Sequence, residues 1–223
     1  MARKRSNPEA EGRGRELVIA APNLKVAQFT IRGTAPLVLN AFSEKARNMM
    51  KTKQEAGSTA KKGRQREAKD FQACFEGAKH VSDDGWLGFA ASGIRAAMVS
   101  ACRIVGFKMT LAKLSLFVLA DGYDRVDGTA LVRITKGTPI YVEHPTRNET
   151  GVCDIRPRPM WKQGWEAILR IQFDADQFKL EDVANLLMRV GTQVGIGEGR
   201  ADSKKSCGMG WGFFEIASRK QVE

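Results

Sequence analysis

Apolar residues dominate from Leu24 to Asn40, "LKVAQFTIRGTAPLVLN", a β-branched and aromatic stretch that predicts the first strand. Gly33 and Pro36 interrupt it and mark a bend or an edge. "GWLGFAA", residues 85–91, reads as a short strand, and Ser92 stands where an N-cap belongs. Beyond it Ile94, Met98, Ala101, Cys102 and Val105 follow helical spacing, so the helix has one buried face, with Arg95 and Arg103 directed elsewhere. "LSLFVLA" and "ALVRITKGTPIYVEH" are strands separated by the turn-rich "DGYDRVDG". "WEAILRIQF" alternates as another strand, Val183, Leu186, Leu187 and Val190 share one face of a second helix, and "WGFFEIA" closes the chain as a strand.

Two stretches break these patterns and read as insertions at about 44–80 and 144–165. Without them the order is β-α-β-β-α-β, the ferredoxin-like order that RNA-recognition domains also use. The expected fold class is therefore α+β, a single domain over residues 17–223 whose antiparallel sheet keeps one face free of helices. Residues 1–16 are polar and read as a flexible basic arm. No short internal repeat is visible.

Charge changes the picture most. The 223-residue chain carries a net +11, which favours a polyanionic partner, nucleic acid ahead of a membrane surface. Residues 44–69 hold nine Lys or Arg against three Glu, a net of +6, over half of the whole excess. The candidate phosphate ligands of this first insertion are Lys45, Arg47, Lys51, Lys53, Lys61, Lys62, Arg64 and Arg66. The second insertion, "PTRNETGVCDIRPRPMWKQG", adds Arg156 and Arg158, with Trp161 as a candidate stacking platform. Ser92 and Arg95 at the start of the first helix are placed to meet a phosphate near a helix N-terminus.

Several chemistries lack support. Cys74, Cys102, Cys153 and Cys207 have no paired spacing, which argues against a zinc site and a disulfide framework, and no metal or cofactor is expected. No apolar run approaches a membrane span, and Arg3, Lys4 and Arg5 are not followed by a signal-peptide core, so a cytoplasmic location is expected. Asp83, Asp84, Asp121, Asp124 and Asp127 sit in turn contexts without calcium-loop spacing. His80 and His144 show no evident partner in sequence, which argues against catalysis.

The stretch "VGIGEGRADSKKSCGMGWGFFEIA" is the densest in glycine. A dinucleotide fingerprint is rejected, because here a helix precedes the glycines and a strand follows them. Two readings of the loop remain open. It is a backbone cradle in which Gly195 and Gly197 allow N–H groups to approach a ligand while Arg200, Lys204 and Lys205 supply charge, or its glycines only make turns.

"GIGEGRADSKKSCGMGWGFFEI" resembles the glycine loop and final strand of the RAMP (repeat-associated mysterious protein) superfamily, and "ASGIRAAM" resembles that family's entry to its first helix. The family includes the backbone subunits that coat guide RNA in CRISPR effector complexes. The resemblance implies a ferredoxin-like palm, a finger over 44–80 and a thumb over 144–165, gripping successive segments of RNA. It implies a non-catalytic protein that binds single-stranded nucleic acid, RNA ahead of DNA, and polymerises along it as a homo-oligomeric filament, with other effector subunits as further partners. The alternatives are a single-stranded DNA-binding or annealing protein of a phage or mobile element, and a RAMP-type endoribonuclease.

Overall fold

The computed structural model of the chain describes residues 20–55, 69–147, 153–203 and 208–222, the side chains of Lys53, Arg147, Gln221 and Val222 excepted. It is a mixed α+β structure with two antiparallel sheets. The first predicted strand divides at the expected bend into β1 (Leu24–Gly33) and β2 (Leu37–Val38). The indole of Trp165 holds the break: its Nε1–H donates to the Ala35 carbonyl at 3.0 Å, and Gly33 N–H donates to the Trp165 carbonyl at 2.8 Å.

After β2 come the helices α1 (Glu44–Glu55) and α2 (Phe71–Glu76). The Asp70 carboxylate caps α2 by accepting Ala73 N–H at 2.9 Å. Two strands follow, β3 (His80–Val81) and β4 (Leu87–Ala90), then α3 (Ala91–Ala101) and α4 (Met109–Ser115). The remaining strands are β5 (Leu116–Leu119), β6 (Gly122–Tyr123), β7 (Ala130–Lys136), β8 (Ile140–Arg147), β9 (Cys153–Trp161), β10 (Glu166–Asp174) and β11 (Phe214–Val222). Helix α5 (Leu180–Arg189) and a π-helical turn, Val190–Val194, lead from β10 towards β11.

In the main sheet β11, β1 and β10 are neighbours. β10 then pairs β7 through Glu166 and Ala167, and β5 through Arg170 to Phe173. The register sets Ala27 opposite Ile171, Phe29 opposite Leu169 and Ile31 opposite Ala167, all fully buried. This apolar row packs with Ile94 and Met98 of α3, Cys102 at its C-cap, and Val183 and Leu187 of α5 in one core. The period-2 row of the strands and the 3.6-period stripes of the helices thus meet as the sequence patterns require. Ordinary burial energies put each large side chain in this core at about 1.5–3 kcal/mol.

The second sheet has the order β2-β9-β8 and was not foreseen. The stretch expected as one strand, residues 130–144, divides at Gly137, so that β7 stays in the main sheet while β8 leaves it to form a hairpin with β9. The stretch expected as a second insertion, 144–165, overlaps this hairpin, which begins at Ile140. Leu37 pairs with Trp161, which ties the hairpin base to the β1–β2 break. Among the described residues no helix is long and apolar enough to cross a membrane.

Candidate nucleic-acid interface

The described parts of the glycine-rich connection from the π-turn to β11, residues 195–203 and 208–213, pack closely against the chain. Two of its glycines show why no other residue fits. Gly212 has φ +71°, and a Cβ there would lie 1.9 Å from the Ile196 carbonyl oxygen. Gly199 has φ +72°, and a Cβ would enter the Trp211 ring at 2.3 Å. Trp211 in turn meets His144 of β8, ring centroids 4.6 Å apart.

Much of the loop's backbone bonds within the chain. Gly195 N–H donates to Val190 at 2.7 Å, Glu198 N–H to Val38 at 2.8 Å, Met209 N–H to Gly199 at 2.8 Å and Gly212 N–H to Pro36 at 2.7 Å. A cradle of free amide groups is therefore corrected at Gly195, which has spent its donor on Val190, while Gly197 offers its carbonyl to Arg200 Nη1 at 3.0 Å. Positive side chains stand beside the loop.

Those side chains converge on Glu198. Arg158 and Arg156, two residues apart on β9, share one face of the strand. Arg158 Nε donates to Glu198 Oε2 at 2.5 Å, and Arg156 Nη1 lies 3.6 Å from Oε1. Arg200 is attached one residue away through Gly197. At the hairpin, Asp154 faces Lys69 at 2.9 Å and Arg156 at 3.4 Å, and the hydrogen bond from Lys69, with help from Arg156, holds its carboxyl below the usual range. On the far side of the loop, Ser100 of α3 and Arg103, just beyond the end of that helix, both donate to Asp202. The structure thus joins Arg156, Arg158, Gly195, Gly197 and Arg200 in one place, with Glu198 a member that the sequence reading missed.

Other candidates lie elsewhere. Trp161 is 1% exposed, its ring part of the core, and its indole N–H has no partner among the described residues. Base stacking by Trp161 is therefore replaced by a packing role, which follows from its pairing with Leu37. Ser92 is not an N-cap: that position is Ala90, which makes no side-chain cap, and Ser92 is the second residue of α3. Arg95 is tied to α4, since Nε donates to the Leu116 carbonyl at 2.8 Å and Nη2 to that of Lys113, near the end of α4. Arg47 of α1 donates to the Val126 carbonyl in the β6–β7 turn. Lys45 and Lys51 are exposed on α1, and Lys51 lies 3.9 Å from Glu55. Lys61, Lys62, Arg64, Arg66, Lys204 and Lys205 lie outside the described residues, as do the side chain of Lys53 and the arm 1–16.

Two further residues escaped the sequence reading. His80 does have a partner: its Nδ1 is 2.8 Å from Asp124 Oδ2, and the two side chains are 12% and 5% exposed. The carboxylate that orients it lies 44 residues away, which no local pattern reveals. Gly93, exposed in the first turn of α3, has no positive φ, and a Cβ there would meet nothing within 4 Å. Neither backbone conformation nor packing among the described residues requires a glycine at that position.

No protein-family model matches the chain, and no curated protein does. Among solved structures it is similar to a chain described as "Cryo-EM structure of the Type III-B Cmr-beta bound to cognate target RNA", with 10% sequence identity and a TM-score of 0.48. The match covers 90% of this chain and 61% of that one, so the protein spans about three-fifths of that chain's length.

Proposed function

We propose that the protein is a non-catalytic binder of single-stranded nucleic acid, RNA ahead of DNA, that polymerises along the strand as a coat or backbone subunit of the RAMP type. The palm is read as ferredoxin-like. The neighbour order β11-β1-β10-β5 supports this, because it sets the fourth, first, third and second strands of a β-α-β-β-α-β unit side by side, with α3 and α5 as its two helices.

The observation that carries the binding reading is the meeting of three guanidinium groups, Arg156, Arg158 and Arg200, at one carboxylate-bearing segment of the glycine loop, on a chain of net charge +11. Arginine forks match phosphate oxygens, and phosphate contacts position a strand without reading its sequence. Little base specificity is expected.

Gly93 adds to this reading. An exposed helical glycine costs about 0.5–1 kcal/mol relative to alanine, and close approach by something outside the chain is the physical reason to keep it.

A second reading rests on His80 and Asp124, since an imidazole oriented by a buried carboxylate is the arrangement of a general base. Binding alone is preferred because Asp124 Oδ1 also accepts Val126 N–H at 2.9 Å, which makes the pair part of the turn's own hydrogen bonding.

The test is to purify the protein after nuclease treatment, titrate it with labelled 30-nucleotide RNA and DNA, and view the complexes by electron microscopy. Regular filaments on RNA, intact product on a gel and an affinity falling with salt at roughly −0.7 per phosphate are expected. Annealing of complementary DNA would favour the recombination alternative, and cleavage lost in H80A would favour the ribonuclease. Monomers with no affinity for either nucleic acid would end the binding reading.

A further inference from the structure

We propose that Arg156 and Arg158 form a phosphate site whose present occupant is the protein's own Glu198 carboxylate, and that one phosphodiester of a bound strand takes the carboxylate's place. The inference rests on the nucleic-acid-binding reading above and names the atom that must move for it.

The geometry is that of an arginine pair around a planar anion. Each carboxylate oxygen of Glu198 faces a different guanidinium, Oε2 towards Arg158 and Oε1 towards Arg156. Two non-bridging phosphate oxygens would meet the same two donors. The arginines are held independently of Glu198. Arg158 Nη1 donates to the Pro157 carbonyl at 3.0 Å, and Arg156 Nε donates to Asp154 at 3.4 Å. The Glu198 side chain has no other hydrogen bond among the described residues.

Exposure leaves the site reachable from solvent. Arg158 is 12% exposed at its side chain, whereas Arg156 and Glu198 are 30% and 25% exposed, so the buried arginine is the fixed anchor and the carboxylate lies on the reachable side. The backbone beneath Glu198 stays anchored by its N–H bond to Val38, so the side chain can rotate outward without unfolding the loop.

Charge favours the exchange. Arg156, Arg158 and Arg200 outnumber the one carboxylate of the loop segment they meet, and Asp154 is already shared with Lys69. A phosphodiester of an incoming strand carries the same charge as Glu198 and arrives joined to neighbours that other basic residues can bind. Glu198 then acts as a resident competitor: it keeps the arginines satisfied in the free protein and sets a threshold that an isolated anion does not cross.

The test compares Glu198→Gln with the parent protein by fluorescence anisotropy, using a labelled single-stranded uridine 30-mer over a range of salt. Glutamine keeps the shape and one acceptor but removes the charge. Affinity should rise roughly five- to tenfold, the scale of relieving one like charge beside a phosphate, with the salt slope unchanged because the number of neutralised phosphates is the same. R158Q should lower the slope by roughly 0.7. In the parent protein, the Arg158 Nε–Hε resonance should shift on adding the RNA, a readout independent of how any variant folds. Unchanged or weaker binding by a folded E198Q, with a stationary Arg158 resonance, would make Glu198 only a strut between loop and hairpin and overturn the inference alone. If the parent protein binds neither RNA nor DNA, the inference falls together with the reading beneath it.

Discussion

Ser100 and Asp202, 102 residues apart in the chain, are joined by a hydrogen bond from hydroxyl to carboxylate that fastens the glycine loop to α3, and Arg103 reinforces it at 2.8 and 2.9 Å. The Ser100 bond, with the Arg103 charge, holds the Asp202 carboxyl below its ordinary value of 3.8. A carboxylate whose pKa is lower folded than unfolded contributes stability above the unfolded value and loses it as pH falls through the folded one. The melting temperature should therefore drop as pH is lowered below about 4, and part of that drop should vanish in D202N. Asp154, also shifted down, contributes in the same window and keeps the variant's curve from becoming flat. Thermal melts of both proteins at a series of acidic pH values check this.

Gly212 and Gly210 share a left-handed backbone, with φ +71° and +69°, but have different surroundings. An added Cβ at Gly212 strikes the Ile196 carbonyl, whereas at Gly210 it makes only ordinary contact with Phe213 at 3.5 Å. G210A should cost about 1 kcal/mol from conformation alone, and G212A at least about 2 kcal/mol with disruption of the loop. Denaturant unfolding measures both, and nucleic-acid affinity should follow the larger loss.

Gly93→Ala should separate stability from function. The substitution adds a methyl group in open space on α3, so stability should rise by about 0.5–1 kcal/mol while affinity for RNA falls. Equal affinity in the variant would remove the start of α3 from the interface.

Trp161→Phe tests the packing role. The substitution loses apolar volume from a buried site but also removes an indole N–H that has no partner among the described residues, so the two effects partly offset. A stability loss of about 1 kcal/mol with unchanged RNA affinity is expected. A large loss of affinity in a folded variant would return Trp161 to the interface.

Much of the secondary structure was legible because the signals are local. The stripe through Ile94, Met98, Ala101 and Cys102 predicts α3, and the alternation through Ala167, Leu169, Ile171 and Phe173 predicts β10, since each residue's face depends only on its neighbours' spacing. The bend at Gly33 and the turns around Asp124 and Asp127 were legible for the same reason: the Asp124 and Asp127 side chains accept backbone N–H groups two residues on.

Partners were not legible, because they are set by closure of the fold. A basic stripe in sequence does not tell whether an arginine faces solvent or a carboxylate. Arg95 is spent on carbonyls 18 and 21 residues away, and Arg158 on a carboxylate 40 residues away. The departure of β8 and β9 into a second sheet, which buries Trp161, likewise depends on where β2 lies after the break at Gly33.

By itself, then, the amino-acid sequence determined the strands and helices of the core, the concentration of positive charge, and the density of glycine in the connection to β11, each a property of residue type and short-range spacing. Only the tertiary structure decided which charges meet. Hydrogen bonds and ion pairs act over a few ångströms of space and not along the chain, so Glu198 could take its place between Arg156 and Arg158 only once the loop and the hairpin had packed together.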